Sequence, residues 1–72
     1  MLEAVTIREI NRIFEVTDAL GIHREMIVIP LRPRHPGRVR KMPGGKLEIV
    51  VEAEGPFEEW IAGLAGEIGQ LA

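Results

Sequence analysis

Serine, cysteine and tyrosine are absent from the 72 residues. Nucleophilic catalysis would therefore fall to threonine, lysine or a carboxylate, and the pattern supplies no evident activator for any of them. Two histidines, His23 and His35, lie twelve positions apart, and only His23 has a carboxylate, Glu25, close by in sequence. Such a pair could help hold a metal if the fold gathered further ligands, but two histidines, one in a Pro/Arg segment, read more simply as solvated side chains. The adjacent acids Glu58 and Glu59 could do general acid–base work, yet they also suit the first turn of a helix, where carboxylates meet the positive end of the macrodipole. Met42-Pro43-Gly44-Gly45-Lys46 lacks the spacing and the following helix of a phosphate-binding loop. Finally, Arg32, Arg34, Arg38, Arg40, Lys41 and Lys46 form a basic run that could meet phosphates or an acidic partner. No aromatic residue interleaves with these bases, so there is no platform for base stacking.

These residues need elements to position them. Thr6-Ile7-Arg8-Glu9 has capping-box spacing. Ile10, Ile13, Phe14, Thr17 and Leu20 then recur at three- and four-residue steps, and Gly21 is a natural helix terminator. This predicts a first helix over about 6–20, with an earlier start through Leu2 and Val5 left open. Met26-Ile27-Val28-Ile29-Pro30-Leu31 is short and β-branched, and predicts a strand at an edge, because Pro30 cannot donate to a ladder. Residues 32–45 hold three prolines and three glycines without hydrophobic period, which predicts a loop. Lys46 to Ala53 predicts a second strand, and a hairpin with the first is the nearest pairing. A very short additional strand from the first residues also stays open. Gly55-Pro56 opens a second helix over about 56–71, with Pro56 at its first position. Its apolar residues Phe57, Trp60, Ile61, Leu64, Ala65, Ile68 and Leu71 follow helical spacing throughout. The fold class expected is α+β: a single small domain over 1–72, in the order α-β-β-α, with two helices packed on a small sheet.

Composition narrows the function further. A chain of this length buries only roughly 60% of its unfolded surface, and its stability falls at about 4–10 kcal/mol. Without cysteine it has neither a disulfide nor a thiolate metal site, so packing or a second chain must supply what a staple would. No basic segment followed by an apolar run marks a signal peptide, and Met26–Leu31 is far too short to span a bilayer. The chain is expected to be cytoplasmic, with no membrane partner. The net charge of −2 conceals blocks. Residues 1–25 carry five acids and three bases, residues 26–46 six bases and no acid, and residues 47–72 six acids and no base. The overall acidity argues against a dedicated nucleic-acid binder. A contact between the basic run and Glu58-Glu59 or Glu52-Glu54, within or between subunits, accounts for the blocks.

The second helix has an unusual outer face. With Phe57 at zero and about 100° per residue, the apolar side chains fall within about 80° of zero, while Gly63, Gly66 and Gly69 fall at about 240°, 180° and 120°. Each interior glycine is unfavourable by roughly 1 kcal/mol relative to alanine. Tolerated drift, close approach of another chain to a smooth backbone, and descent from a face that once did chemistry are three accounts of this pattern.

The third account has a family likeness behind it. Leu64-Ala65-Gly66-Glu67-Ile68-Gly69-Gln70-Leu71-Ala72 resembles the active-site helix of zincin-type zinc metallopeptidases, closest to small gluzincins of the ImmA/IrrE-like kind. In such helices two histidines one turn apart bind zinc, and the glutamate after the first acts as general base on the zinc-bound water. By position, Gly66 and Gln70 stand where the histidines would be, Glu67 keeps the general-base place, and Gly69 matches a glycine common in the family. Gly45 to Val51 resembles the edge strand that accompanies that helix. The likeness covers about 25–30 residues well, and the helix-sheet-helix order resembles a minimal zincin core. The departures are decisive for chemistry: glycine has no ligand atom, a glutamine amide is a poor zinc ligand, and catalytic zinc needs three protein ligands. The resemblance implies a fold and not an activity.

The expectation is therefore a non-enzymatic interaction module, without metal or cofactor, that assembles as a homodimer or with a protein partner through Gly63, Gly66 and Gly69 and through Arg32, Arg34, Arg38, Arg40 and Lys41. The alternatives are a binder of nucleic acid or of an acidic partner through 32–46, and a hydrolase that keeps Glu67 as base and borrows zinc ligands from a partner chain.

Overall fold

Both ends of the first helix are fixed by the residues the sequence supplies there. The computed structural model describes residues 5–32 and 34–71. In it α1 spans Ile7–Ala19, with Thr6 as N-cap. The Thr6 hydroxyl accepts from the Glu9 N–H at 3.4 Å, and the Glu9 carboxylate accepts from the Thr6 N–H at 2.9 Å, closing the capping box. At the other end Gly21 takes φ +76°. Its N–H reaches the Asp18 carbonyl and the Ile22 N–H reaches the Thr17 carbonyl, each at 3.0 Å, which is the Schellman arrangement. One turn of 3-10 helix, Arg24–Met26, follows. Arg24 secures it against α1 by pairing with Asp18 at 2.7 Å while its guanidinium lies 4.7 Å from the Phe14 ring centre.

The sheet has three strands: β1 (Ile27–Val28), β2 (Val39–Lys41) and β3 (Leu47–Ile49), in the order β1-β3-β2. Two expectations are corrected here. The expected loop 32–45 contains a strand, so the element order is α-β-β-β-α. The expected hairpin between the first and last strands is not formed, because β1 and β3 run parallel, Ile27 beside Leu47 and Val28 beside Glu48. The hairpin lies instead between β2 and β3, antiparallel, with Val39, Arg40 and Lys41 facing Ile49, Glu48 and Leu47. The reason is the turn Met42-Pro43-Gly44-Gly45. Proline presets its second position, and Gly44 and Gly45 take φ +92° and +89°, conformations open to glycine. Bonds from Gly45 N–H to the Met42 carbonyl (3.1 Å) and from Met42 N–H to the Lys46 carbonyl (2.7 Å) close it. A turn this tight places 41 opposite 47, leaving β1 to join the far side of β3. The short additional strand considered for the first residues would involve residues 1–4, outside the described residues. Val5 itself donates to the Leu31 carbonyl at 2.8 Å.

Helix α2 spans Phe57–Leu71. Pro56 stands one place before it, where its carbonyl accepts the Trp60 N–H at 3.2 Å. Strand alternation directs Leu47 and Ile49 inward, to a core shared with Ile13 of α1, with Ile61, Leu64 and Ile68 of α2, and with Val51 beyond the end of β3. Ile13, Ile49 and Leu64 are fully buried. Both helices thus pack on one side of the sheet, and the fold is α+β. The opposite side carries Val28, Arg40 and Glu48, set by the same register. Among the described residues no helix is long and apolar enough to cross a membrane.

Candidate functional site

The outer face of α2 follows from which of its residues the core takes. Ile61, Leu64 and Ile68 are buried, so the positions turned away from them meet solvent. Gly63, Gly66 and Gly69 are all exposed there, and a Cβ added to any of them would meet no atom of the described residues within 4 Å. None of the three is needed for a left-handed conformation, in contrast to Gly21, Gly37, Gly44 and Gly45. No contact with another described residue explains why these positions are glycine. Glu67 and Gln70 are exposed on the same helix. The strand nearest to the zincin-like pattern, β3, is the middle strand of its sheet.

Beside this face runs a groove of about 440 Å³ between the helices. Val16, Ala19 and Leu20 of the α1 side and Ile61, Ala62 and Ala65 of α2 line its apolar length. Leu20 remains 44% exposed. One end is polar, where Arg12 bridges the helices to Glu58 at 3.0 Å and lies 3.9 Å from Glu15. That bridge answers where the first-turn acid of α2 goes: Glu58 pairs with α1 and not with the basic segment. A second, mainly apolar recess of about 320 Å³ lies where the two helices end, with His23 and Lys41 among its walls.

The structure separates the basic residues that the sequence groups. Arg40 lies on β2 opposite Glu48 and bonds its carboxylate at 2.6 Å. The Arg40 hydrogen bond holds the Glu48 carboxyl below its usual range, partial burial opposes the shift, and the charges of Arg40, Arg38 and His35 reinforce it. Arg32, Arg34, Arg38, Lys41 and Lys46 are exposed and make no ion pair with another described residue. The segment is anchored at its centre. Gly37 takes φ +81°, its carbonyl accepts from the Trp60 indole N–H at 3.3 Å, and its N–H reaches the Val50 carbonyl at 3.1 Å. Glu52, just after the sheet, accepts from the Glu54 and Gly55 N–H groups at 3.2 Å, so its carboxylate organises the entry to α2.

His23 and His35 are exposed and lie on separate segments. Among the described residues no three histidines and carboxylates gather as a metal site would need. The α1–α2 groove and the β2 edge were not read from the sequence. The groove had a trace there in Ala62 and Ala65, small residues beside the apolar stripe, whereas three residues of Val-Arg-Lys carry no period that would reveal a strand. No family model, curated protein or solved structure matches this chain.

Proposed function

We propose that this chain is a non-enzymatic interaction module of the cytoplasm that assembles with a second copy of itself through the outer face of α2. The observation that carries the reading is the open space over Gly63, Gly66 and Gly69. Glycine is the least favourable residue after proline in a helix interior, and no described residue of the chain needs it at these positions. A helix packed closely from outside does need it, because the missing side chains let backbones approach. Ala62 and Ala65 extend the same smooth surface toward the α1–α2 groove. We further read the Gly66-Glu67-Gln70 pattern as the remnant of a zincin-like metallopeptidase helix. With no ligand atom at Gly66, a surface for packing is the use left to that face.

Native mass spectrometry and sedimentation of the whole chain test the proposal, with Gly66→Leu as the variant. A Cβ there meets no described atom within 4 Å and the position is exposed, so a leucine side chain can extend into solvent. The expected result is a metal-free dimer for the parent and a monomer for Gly66→Leu. A parent that stays monomeric at high concentration, or a variant that keeps the parent's mass, refutes the reading.

A further inference from the structure

Strand β2 ends the sheet, and the register shows which of its backbone groups are left over. Val50 N–H bonds the Arg38 carbonyl at 2.8 Å and Met42 N–H bonds the Lys46 carbonyl at 2.7 Å. Residues 38, 40 and 42 therefore face β3 in hydrogen-bonded pairs, and 39 and 41 are the intervening non-bonded pairs. The N–H and C=O groups of Val39 and Lys41 point away from β3, toward the open edge, and no other described residue takes them up. An unpaired edge is a template for another strand. The side chains around it set what that strand must be. Arg40, with Arg38 at the next position of the same alternation, belongs to the outer side of the sheet, and Lys41 is exposed at the inner side beside half-buried Val39. Arg38 and Lys41 have no acidic partner among the described residues. On its other side β2 already accepts a segment of the matching kind: β3 reads Leu47-Glu48-Ile49, with the acid on Arg40 at 2.6 Å and the apolar residues turned to the core.

We propose that the free edge of β2 binds an extended acidic peptide from another protein, which adds as a fourth strand with its acids over Arg38 and Arg40 and its alternate, apolar residues beside Val39. A second β2 is excluded as the added strand by like charge, since Arg38, Arg40 and Lys41 would face their own copies. The surface is distinct from the outer face of α2, so it stands whether or not the chain dimerises.

Fluorescence anisotropy of the whole chain with a labelled peptide of four Val-Glu repeats, at low salt, tests it. The added strand runs antiparallel to β2, as β3 does, so directly opposed residues exchange hydrogen bonds and share a face, and those opposite Val39 and Lys41 are the peptide's valines. N-methylation of the valine amides is expected to weaken binding about tenfold or more, while N-methylation of the glutamate amides, which face away, leaves it within about twofold. On the protein side, Lys41→Pro and Lys41→Ala remove the same charge, but only proline removes the edge-facing N–H. Proline is tolerated there because that group makes no bond to β3. Lys41→Pro is expected to bind about tenfold more weakly than Lys41→Ala. Absence of binding at low salt, equal binding of both methylated peptides, or tighter binding of an eight-nucleotide oligothymidylate overturns the proposal. The last result would make the segment a phosphate surface.

Discussion

Replacing Gly63 and Gly66 together by alanine separates the stability of the monomer from its assembly. Both lie inside α2, both are exposed, and an added Cβ meets no atom of the described residues within 4 Å at either. No steric term offsets the gain in helix propensity. Each substitution should stabilise the folded monomer by about 1 kcal/mol, or about 2 kcal/mol for the pair. For a domain of this size 1 kcal/mol corresponds to roughly 4–8 °C in Tm, so the double variant should melt roughly 8–16 °C higher. The assay is thermal unfolding followed by circular dichroism at low micromolar concentration, with sedimentation at high concentration alongside. If the outer face of α2 is an interface, the same variant has a higher Tm when dilute and a lower mass when concentrated. An unchanged or lowered Tm in dilute solution refutes the account of these glycines as unsupported by their own chain. A raised Tm with the parent's mass retained leaves the propensity reasoning intact and removes the interface.

Two further outcomes follow from the sheet and its anchor. Glu48 is held below the usual carboxylate range by Arg40. A depressed carboxyl stabilises the fold above its unfolded value, and that contribution is lost as pH falls through the folded value. In urea titrations the parent should therefore exceed Glu48→Gln near neutrality and converge toward it in acid, below the ordinary carboxylate range; parallel curves would show that the bond adds nothing. Gly37→Ala forces a Cβ into φ +81° and 2.7 Å from the Glu52 carboxylate. Relieving that contact draws Glu52 away from the Glu54 and Gly55 N–H groups it accepts from, so the loss is at least that of the backbone conformation, about 1–2 kcal/mol. A thermal melt reads this loss, and quenching or a shift of Trp60 emission should accompany it, because the indole bonds the Gly37 carbonyl.

The helices were legible because their ends are written locally. Thr6 and Glu9 form the box their spacing predicts, and Gly21 turns the chain where the periodicity stops. The step of about 100° per residue around α2 likewise puts the three glycines on the outer face, where they lie. The sheet was legible only in part. Val39-Arg40-Lys41 is too short and too polar to show alternation, so the sequence offers the apolar segment 26–31 as the hairpin partner of 46–53. Proximity along the chain favoured that pairing, and the tight Pro43-Gly44 turn defeated it. Charge pairing was least accessible: Arg12–Glu58 joins residues 46 apart and depends on how the helices cross, which no local pattern encodes.

The central place of β3 has a consequence for the order of assembly. β1 and β2 share no ladder and are joined only through the strand that is made after both. Until Leu47–Ile49 leaves the ribosome, neither earlier strand has a neighbour, and α1 lacks the buried face of α2 against which Ile13 packs. Before β3 and α2 are made, Ile13 lacks the residues that bury it. Contacts between distant parts of the chain must form together, which slows folding relative to a helical bundle of the same length and makes the domain an all-or-none unit: a nascent chain cut short before α2 should be a substrate for proteases and not a smaller version of the protein.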